Sequence, residues 1–441
     1  MTNIEKIMKR TLLLLFSLCM LTGLQAENYP YRSDYLWVTV PDHADWLYRC
    51  GENATVEVQF YKYGIPRDGV VEWEVGNDLL PADQKGTVEL KNGRAKISMG
   101  TAKRPCFRDL RLQVKVDGKT YRHHVKVGFS ADQIEPFTQE PKDFWTFWQQ
   151  QLQEAKKFPL HYTKEYVADM SNERVDCYRL KIDLDQRRHA FYAYLLVPHG
   201  AKAGSCPVVL TPPGAGVKTI KDGTARRFYP ENGFIRLAID IHGLNPTMSE
   251  EIFAEINAAF NSRDNTYLRQ NLEDRDQYYM KHVYLGLVRA IDVLCDQKEW
   301  DGRNIFVQGG SQGGALALIA TALDPRICYC VANHPALSDM AAGSAGLTSG
   351  YPHFSAESGA YSEACMRTLP YYDVVNFARH IQTPVYMTWG YNDDVCPPTT
   401  SYAVWNVLKC EKESLITPVN EHWTSDATDR HQMEWMKKHL K

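Results

Sequence analysis

From about residue 34 to residue 129, apolar and polar positions alternate with a period of two in short runs that end at turn residues. The segment ATVEVQFYKYG shows this alternation, and Asn92-Gly93 and Asp117-Gly118 supply hairpin turns. A period of two predicts antiparallel strands that bury one face. We therefore expect residues 27–130 to form a small β-sandwich domain with an immunoglobulin-like architecture.

Beyond residue 130 the pattern changes to continuous apolar runs separated by segments with helical periodicity. PVVLTPP, GFIRLAID and TPVYMTWG are typical of strands buried on both faces, whereas Tyr278 to Cys295 carries apolar residues at helical spacing. This alternation predicts an α/β domain over residues 131–441, built on a mostly parallel, doubly wound sheet. We expect residues 245–276, which are polar, to form an irregular insertion at the mouth of a site.

The segment IFVQGGSQGG joins one of these buried strands to an apolar helix. Residues 309–313 (GGSQG) fit G-x-S-x-G, the nucleophile elbow of serine hydrolases, and predict Ser311 as the nucleophile. Glycine is needed two positions before and after the serine, because a side chain there would collide with the neighbouring chain in the strained turn. The alternative is a glycine-rich loop with an exposed serine.

A serine nucleophile requires a histidine base and a carboxylate that orients it, and in this fold their chain order is serine, acid, histidine. Asp393 and Asp394 follow the strand PVYMTWG, at the sheet edge where catalytic groups gather. Asp393 is the predicted acid and Asp394 the alternative, while His422, in the loop before the C-terminal helix, is the predicted base. His334 precedes the acid, so we expect it to line the pocket or to be structural.

The oxyanion of an acyl-transfer intermediate needs two backbone donors. We expect the N–H of Gln312, the residue after the nucleophile, to be one of them. The loop PPGAGVK is expected to supply the other, with the N–H of Ala215 as the candidate.

The first 26 residues combine three basic residues with an apolar stretch and end in Leu-Gln-Ala, the pattern of a secretory signal peptide cleaved after Ala26. This predicts a periplasmic or secreted protein with no membrane span after cleavage. Export permits disulfides, and Cys50 with Cys106 is a candidate pair. The cysteines lack C-x-x-C spacing, and His123 and His124 should face opposite sides of a sheet, so no metal and no cofactor are predicted.

The 441 residues carry a net charge of only −3, and their acidic and basic side chains are interspersed. Nucleic acid and anionic membrane surfaces are therefore excluded as expected partners. A small neutral or mixed-polarity substrate is expected instead.

Four segments, PKDFWTFW, GGSQGG, YYDVVNFARHIQTPVYMTWGYNDDVCPP and NEHW, carry a resemblance to a known family. Over about residues 135–441 the chain resembles the acetyl xylan esterase and cephalosporin C deacetylase family, carbohydrate esterase family 7. The resemblance implies an α/β-hydrolase that removes acetyl groups from sugars, with Ser311, Asp393 and His422 as its triad. The chain departs from the family pattern at Pro213-Gly214, where His-Gly is usual, and at His242-Gly243-Leu244, where Arg-Gly-Gln is usual. These departures bear on substrate range and on oligomerisation.

These observations predict a secreted serine esterase that removes acetyl or other small acyl groups from carbohydrates such as acetylated xylan. Two alternatives remain. One is a serine exopeptidase of related fold, and the other is a non-catalytic glycan-binding protein on a hydrolase scaffold. An oligomer is possible.

Overall fold

The computed structural model describes residues 33–187, 189–260 and 267–441. The predicted signal peptide, residues 1–26, lies outside the described residues. Among the helices that are described, none has the length and apolarity needed to cross a membrane.

The first nine strands, all before residue 130, form two sheets. The strands are β1 (Tyr35–Pro41), β2 (Leu47–Tyr48), β3 (Ala54–Lys62), β4 (Ile65–Pro66), β5 (Gly69–Asn77), β6 (Ala82–Leu90), β7 (Arg94–Gly100), β8 (Cys106–Val116) and β9 (Lys119–Phe129). One sheet joins β1, β4 and β7 to β3, and the other has the order β2-β9-β8-β5-β6. All pairings are antiparallel except that of β2 with β9. The predicted antiparallel strands are confirmed, whereas the immunoglobulin-like topology stays a prediction.

The alternation seen in the sequence accounts for this packing. Along β3, buried residues alternate strictly with half-buried ones. The buried Val56 and Phe60 of β3 lie in one apolar core with Val71 of β5 and Leu110 of β8. Each sheet thus buries one face against the other.

A nine-stranded mixed sheet dominates the rest of the chain. Its strands are β10 (His161–Tyr166), β11 (Val175–Asp183), β12 (Ala190–Pro198), β13 (Cys206–Thr211), β14 (Ile235–Ile239), β15 (Trp300–Gly310), β16 (Tyr329–Asn333), β17 (Val385–Trp389) and β18 (Lys412–Ile416). Their order is β10-β11-β12-β14-β13-β15-β16-β17-β18. The pairings from β14 to β18 are parallel, and those from β10 to β14 are antiparallel. The mostly parallel α/β sheet is therefore confirmed.

Helices connect and cover these strands. They are α1 (Phe144–Lys156), α2 (Phe228–Glu231), α3 (Glu250–Phe260), α4 (Met280–Cys295), α5 (Gln312–Leu323), α6 (Glu363–Thr368), α7 (Val374–Ala378), α8 (Pro398–Val407) and α9 (Asp426–Lys438). The expectation of an irregular segment over residues 245–276 is wrong in part, because α3 and a 3₁₀ turn at Tyr267–Arg269 lie within it. Ile252, Phe253 and Ile256 have the spacing of an amphipathic helix, but the polar residues before and after α3 obscured this pattern.

The two N-terminal sheets pack against the end of the large sheet where the parallel strands finish. The ring of Phe107 in β8 lies 5.0 Å from that of Tyr391 and 5.5 Å from that of Tyr402. Tyr391 belongs to the loop that follows β17, and this loop carries the two candidate acids. The contact therefore places β8 and β9 directly behind the site.

The candidate disulfide is not formed. Cys50 and Cys106 are both free cysteines in the structure. Burial raises the pKa of the Cys106 thiol to about 11, so it stays protonated at neutral pH.

Candidate active site

Ser311 lies between the last residue of β15 and the first residue of α5. Its backbone has φ 59° and ψ −126°, a conformation that residues with a side chain rarely adopt. The chain holds it there by two hydrogen bonds: its N–H donates to the carbonyl of Asn333 (3.0 Å), and its carbonyl accepts from the N–H of Ala336 (3.1 Å). Backbone strain of this kind persists only when its surroundings fix it, and it is concentrated at functional sites.

The two glycines of the motif are required by close backbone contacts. A Cβ at Gly309 would lie 2.2 Å from the carbonyl oxygen of Gly313, and a Cβ at Gly313 would lie 2.6 Å from that of Pro212. A Cβ at Gly310 would instead meet its nearest atom, Nε2 of His334, at 3.4 Å. The steric reason predicted for the motif therefore holds at positions 309 and 313 and not at position 310.

Asp393 and His422 form the pair expected of an acid and a base. His422 Nδ1 lies 2.8 Å from Oδ2 of Asp393. Oδ1 of the fully buried Asp393 accepts from the N–H groups of Val395 and Cys396, each at 2.8 Å. Since an ionised carboxylate only accepts hydrogen bonds, Nδ1 of His422 carries the proton and Nε2 has a free lone pair.

One pocket brings Ser311 and His422 together. It has a volume of about 550 Å³, and both residues line it with Gly310 and His334. The His334 ring lies 4.4 Å from the His422 ring. Burial, and then the neighbouring His422, lowers the pKa of His334 to about 4, so His334 is neutral at neutral pH. Its place in the lining agrees with the prediction. A pKa of about 4 makes His334 a weak base, so His422, which contacts Asp393, stays the candidate base.

The alternative acid, Asp394, occupies a different environment. Its side chain is 56% exposed and lies 2.5 Å from the ammonium of Lys126, whereas Asp393 is fully buried. Both aspartates follow the end of β17, so their position in the sequence did not decide which of them is the acid. The hydrogen bond to His422 distinguishes them in favour of Asp393.

Lys126 was not predicted as a site residue by any pattern in the sequence. This fully buried lysine of β9 donates from Nζ to the main-chain carbonyl of Asp393 (2.8 Å) and pairs with the buried Asp78 (2.8 Å). Its N–H donates to Oδ1 of Asn392 (2.9 Å). Burial alone would lower the pKa of Lys126, but the carboxylates of Asp78 and Asp394 raise it above its ordinary value. A charged lysine from the N-terminal sheets thus fastens the loop that carries the acid.

Two further residues fix the loop in which Ala215 lies. His242 Nε2 lies 3.2 Å from the carbonyl of Gly216, and its Nδ1 lies 2.7 Å from the hydroxyl of Tyr279. The hydroxyl of Tyr267 accepts from the N–H of Gly216 (3.3 Å) and donates to Oε1 of Gln312 (2.5 Å). Tyr267 therefore ties together the two segments from which the oxyanion donors are predicted. His242, at the position where the family that the chain resembles usually has arginine, thus contacts this loop. Burial lowers the pKa of His242 to about 4.

Neither of the two predicted oxyanion donors, Gln312 and Ala215, is part of the pocket lining. Gln312 is fully buried and is the first residue of α5, where an N–H has no acceptor within the helix. Gly214 and Gly216 line the pocket on either side of Ala215. The roles of Gln312 and Ala215 stay predictions.

Two side-chain groups have metal-like spacing. The first is His334, Asp393 and His422, with ligand atoms within 4.8 Å of one another, but the Asp393–His422 hydrogen bond engages two of those atoms. The second is Asp109, His124 and Asp394, which lies next to the ammonium of Lys126. A cation already beside Asp394 opposes binding of another.

Most of this chain is similar in sequence to known proteins. A sequence profile of the family described as acetyl xylan esterase (AXE1) matches residues 131–439. The acetyl esterase Axe7A of Xylanibacter ruminicola is 56% identical over 432 residues, which is 97% of each chain. Because the profile begins at residue 131, the N-terminal sheets lie outside it, but the alignment with the Xylanibacter protein is long enough to include most of them.

Solved structures share the fold. The acetyl xylan esterase from Paenibacillus sp. R4 superposes with a TM-score of 0.61 at 26% identity, over 70% of this chain and 98% of that one. Acetyl xylan esterase 1 from Thermoanaerobacterium sp. JW/SL YS485 gives a TM-score of 0.59 at 21% identity, over 70% of this chain and 97% of that one.

Proposed function

This chain belongs to the acetyl xylan esterase family, and from that membership we propose that it hydrolyses acetyl esters of carbohydrates through an acyl-enzyme on Ser311. The observation that carries the proposal is the 2.8 Å hydrogen bond between His422 and Asp393, formed beside a pocket that Ser311 and His422 both line. A serine in a strained elbow, a neutral imidazole and a buried carboxylate together can perform acyl transfer.

In the proposed first step, Oγ of Ser311 attacks the acetyl carbonyl carbon while Nε2 of His422 takes the hydroxyl proton. The bond from that carbon to the sugar oxygen then breaks, and His422 returns the proton to the leaving sugar hydroxyl. Asp393 keeps Nδ1 protonated and stabilises the imidazolium. A water activated by His422 next attacks the acetyl-serine, which releases acetate and restores Ser311.

The N–H groups of Gln312 and Ala215 are proposed to stabilise the oxyanion in both steps. Such donors act because they are held in place before the charge develops, and deleting one costs about 3 kcal/mol of transition-state stabilisation. The hydrogen bonds of Tyr267 to Gly216 and Gln312 support this arrangement.

Export and an immunoglobulin-like N-terminal domain are also proposed. The basic and apolar pattern of residues 1–26 supports export, and the two antiparallel sheets before residue 130 support the domain assignment. Periplasmic or culture-medium recovery of the chain, with a new N-terminus at Glu27, would test the first.

The experiment for the activity compares the full chain with Ser311→Ala. We expect the wild type to release acetate from acetylated xylooligosaccharides and from p-nitrophenyl acetate, and the variant to lose turnover by at least about 10⁴-fold. Aminoacyl and dipeptidyl anilides test the exopeptidase alternative. Folded wild-type protein that cleaves no ester would overturn the proposal, and retained glycan binding without hydrolysis would favour a binding protein.

A further inference from the structure

The pocket that Ser311 lines continues along β13, β14 and β15 into a region rich in cations. Lys218, Arg226 and Arg236 all line it. Gln308 also lines it, three residues before Ser311 on β15, which is roughly 10 Å along the strand. None of these side chains takes part in the hydrolysis proposed for Ser311, Asp393 and His422.

Both arginines make hydrogen bonds only to neutral oxygens. Arg236 donates from Nε to the hydroxyl of Thr211 (3.0 Å) and from Nη1 to the carbonyl of Ala225. Arg226 donates from Nη1 to Oε1 of Gln308 (2.5 Å). Within the described part of the chain, no carboxylate oxygen lies within 4.0 Å of either guanidinium.

Two neighbouring guanidinium groups without a carboxylate partner are energetically unfavourable. Arg236 is only 7% exposed, and a buried charge is costly unless an opposite charge accompanies it. Burial, and next the positive charge of Arg226, lowers the pKa of Arg236 to about 10. At neutral pH Arg236 remains charged.

Gln308 gives a second and independent indication of a ligand. It is fully buried, and its Nε2 has no acceptor in the described part of the chain. The hydrogen bond from Arg226 identifies Oε1 of Gln308 as the acceptor, so the other end of the amide is the donor Nε2. A buried N–H donor next to two guanidinium groups favours a ligand that accepts hydrogen bonds and carries a negative charge.

The acidic residues nearby do not fill this role. Asp240 lines the pocket, but its two oxygens accept from the N–H groups of His242 (3.1 Å) and Leu244 (2.8 Å). Asp222 and Asp429 interact electrostatically with the arginines from beyond ion-pair distance. Among the described residues, the pocket lining holds three cationic side chains, Lys218, Arg226 and Arg236, and one carboxylate, Asp240, so its net charge is positive.

We propose that Arg226, Arg236, Gln308 and Lys218 form a subsite for a carboxylate group, next to the scissile ester. The inference rests on the proposed function, since it concerns the substrates of Ser311. The carboxylate can come from an acidic sugar such as a uronic acid attached close to the acetyl group, or from acetate, the product. Both present two oxygens to a guanidinium fork.

The test compares Arg226→Gln with Arg227→Gln, a neighbour that loses the same charge. Arg227 donates to the carbonyl of Met170 (3.0 Å) and does not line the pocket. Acetylated xylooligosaccharides are prepared with and without a glucuronic acid substituent. We expect the wild type and Arg227→Gln to favour the acidic substrate by roughly tenfold in KM, and Arg226→Gln to lose that preference.

A second arm measures inhibition by sodium acetate with a neutral substrate, at an ionic strength kept constant with sodium chloride. If acetate is the ligand, its inhibition constant rises in Arg226→Gln and not in Arg227→Gln. Lys218→Gln, at an exposed position, repeats both arms with little risk to folding. The subsite proposal is overturned if Arg226→Gln and Lys218→Gln change neither quantity, or if Arg227→Gln changes them equally.

A third arm needs no turnover. In Ser311→Ala, glucuronic acid or acetate should raise Tm, and Arg226→Gln in that background should abolish the rise. Loss of all esterase activity in the wild type with a persistent Arg226-dependent rise in Tm would refute the proposed function alone. Full activity with no rise in Tm, no preference for the acidic substrate and no effect on inhibition would refute the subsite alone.

Discussion

The ammonium group of Lys126 donates a hydrogen bond to the main-chain carbonyl of Asp393 across 2.8 Å, although 267 positions separate the two residues in the chain. Lys126 belongs to β9 of the N-terminal sheets, and Asp393 is the acid that contacts His422. The N-terminal sheets are thus a direct support of the candidate active site. This contact predicts that the sheets position Asp393, a role that does not require them to bind sugar.

Lys126→Met should lower both stability and kcat. Removing one partner of a buried ion pair costs about 3–5 kcal/mol, here because Asp78 is left charged and unpaired. Replacing Asp78 as well, in Lys126→Met/Asp78→Asn, should restore part of Tm. We expect kcat of this double variant to remain lower by roughly ten- to hundred-fold, because the Asp393 segment has lost its tether.

The matched control is Lys62→Met. Lys62 is also a buried lysine of the N-terminal sheets, but it pairs with Asp117 at the β8–β9 turn. The Lys62→Met variant should have a lower Tm than the wild type but an unchanged kcat. Wild-type kcat in the Lys126→Met/Asp78→Asn variant would show that the tether does not position the acid.

The two neighbouring aspartates should respond very differently to the same change. Asp393→Asn removes the carboxylate that fixes the tautomer of His422, so kcat should fall by about 10³–10⁴-fold. Asp394→Asn leaves the His422 contact in place and should cost less than about tenfold. Hydrolysis of p-nitrophenyl acetate measures both, and a larger loss in Asp394→Asn would transfer the role of acid to that residue.

Local patterns in the sequence were enough to predict the large sheet, which is confirmed, and to name the candidate site residues, which stay predictions. The G-x-S-x-G motif, strand-end aspartates and a histidine before the last helix are each visible within a short window, because the constraint that produces them is local. Lys126 and Tyr267 were not found, because their roles depend on contacts with residues far along the chain. The reason for α3 is different, because Ile252, Phe253 and Ile256 do mark a helix locally and the polar residues around them obscured it.

Tyr267→Phe should lower kcat by about tenfold with little change in KM. The variant loses the hydroxyl that bridges Gly216 and Gln312, so the two proposed oxyanion donors are held less firmly. This is a smaller effect than the roughly hundred-fold loss expected when a donor itself is removed. Steady-state kinetics on acetylated xylooligosaccharides measure both parameters.

Tyr284→Phe provides the comparison for Tyr267→Phe. Its buried hydroxyl donates to the carbonyl of Tyr372 (2.9 Å) in the core. Both variants should lose about 1 kcal/mol of stability, but only Tyr267→Phe should lose kcat. Equal kcat in the two variants would contradict a role for Tyr267 in the oxyanion site.

His334→Gln should make stability less sensitive to acid. The folded-state pKa of His334 is lowered to about 4 from 6.5, so its contribution is fully present above pH 6.5 and is lost as the pH falls toward 4. Between pH 6.5 and pH 5 the wild type should lose about 2 kcal/mol through this residue, and the variant should not. The free energy of unfolding of both proteins in urea at pH 7.5 measures the loss of stability that the substitution causes through packing alone, independent of pH. A stability difference between the two proteins that is the same at pH 7.5 and pH 5 would contradict the prediction.

Adjacent glycines of the elbow should differ sharply in their tolerance of alanine. In Gly309→Ala the new Cβ would lie 2.2 Å from the carbonyl oxygen of Gly313, which belongs to the backbone of α5 and cannot move aside as a side chain could. Relief requires the strand and the helix to separate, so we expect a loss of at least about 3 kcal/mol or failure to fold. Soluble yield and Tm measure this.

Gly310→Ala is the control, since it adds the same methyl group one residue away. Its Cβ would lie 3.4 Å from Nε2 of His334, an ordinary contact with a side chain, and Gly310 does not have a positive φ. This variant should fold with a Tm close to that of the wild type. A comparable loss in both variants would mean that the general flexibility of the GGSQG segment, and not the approach of Gly309 to Gly313, is what the motif requires.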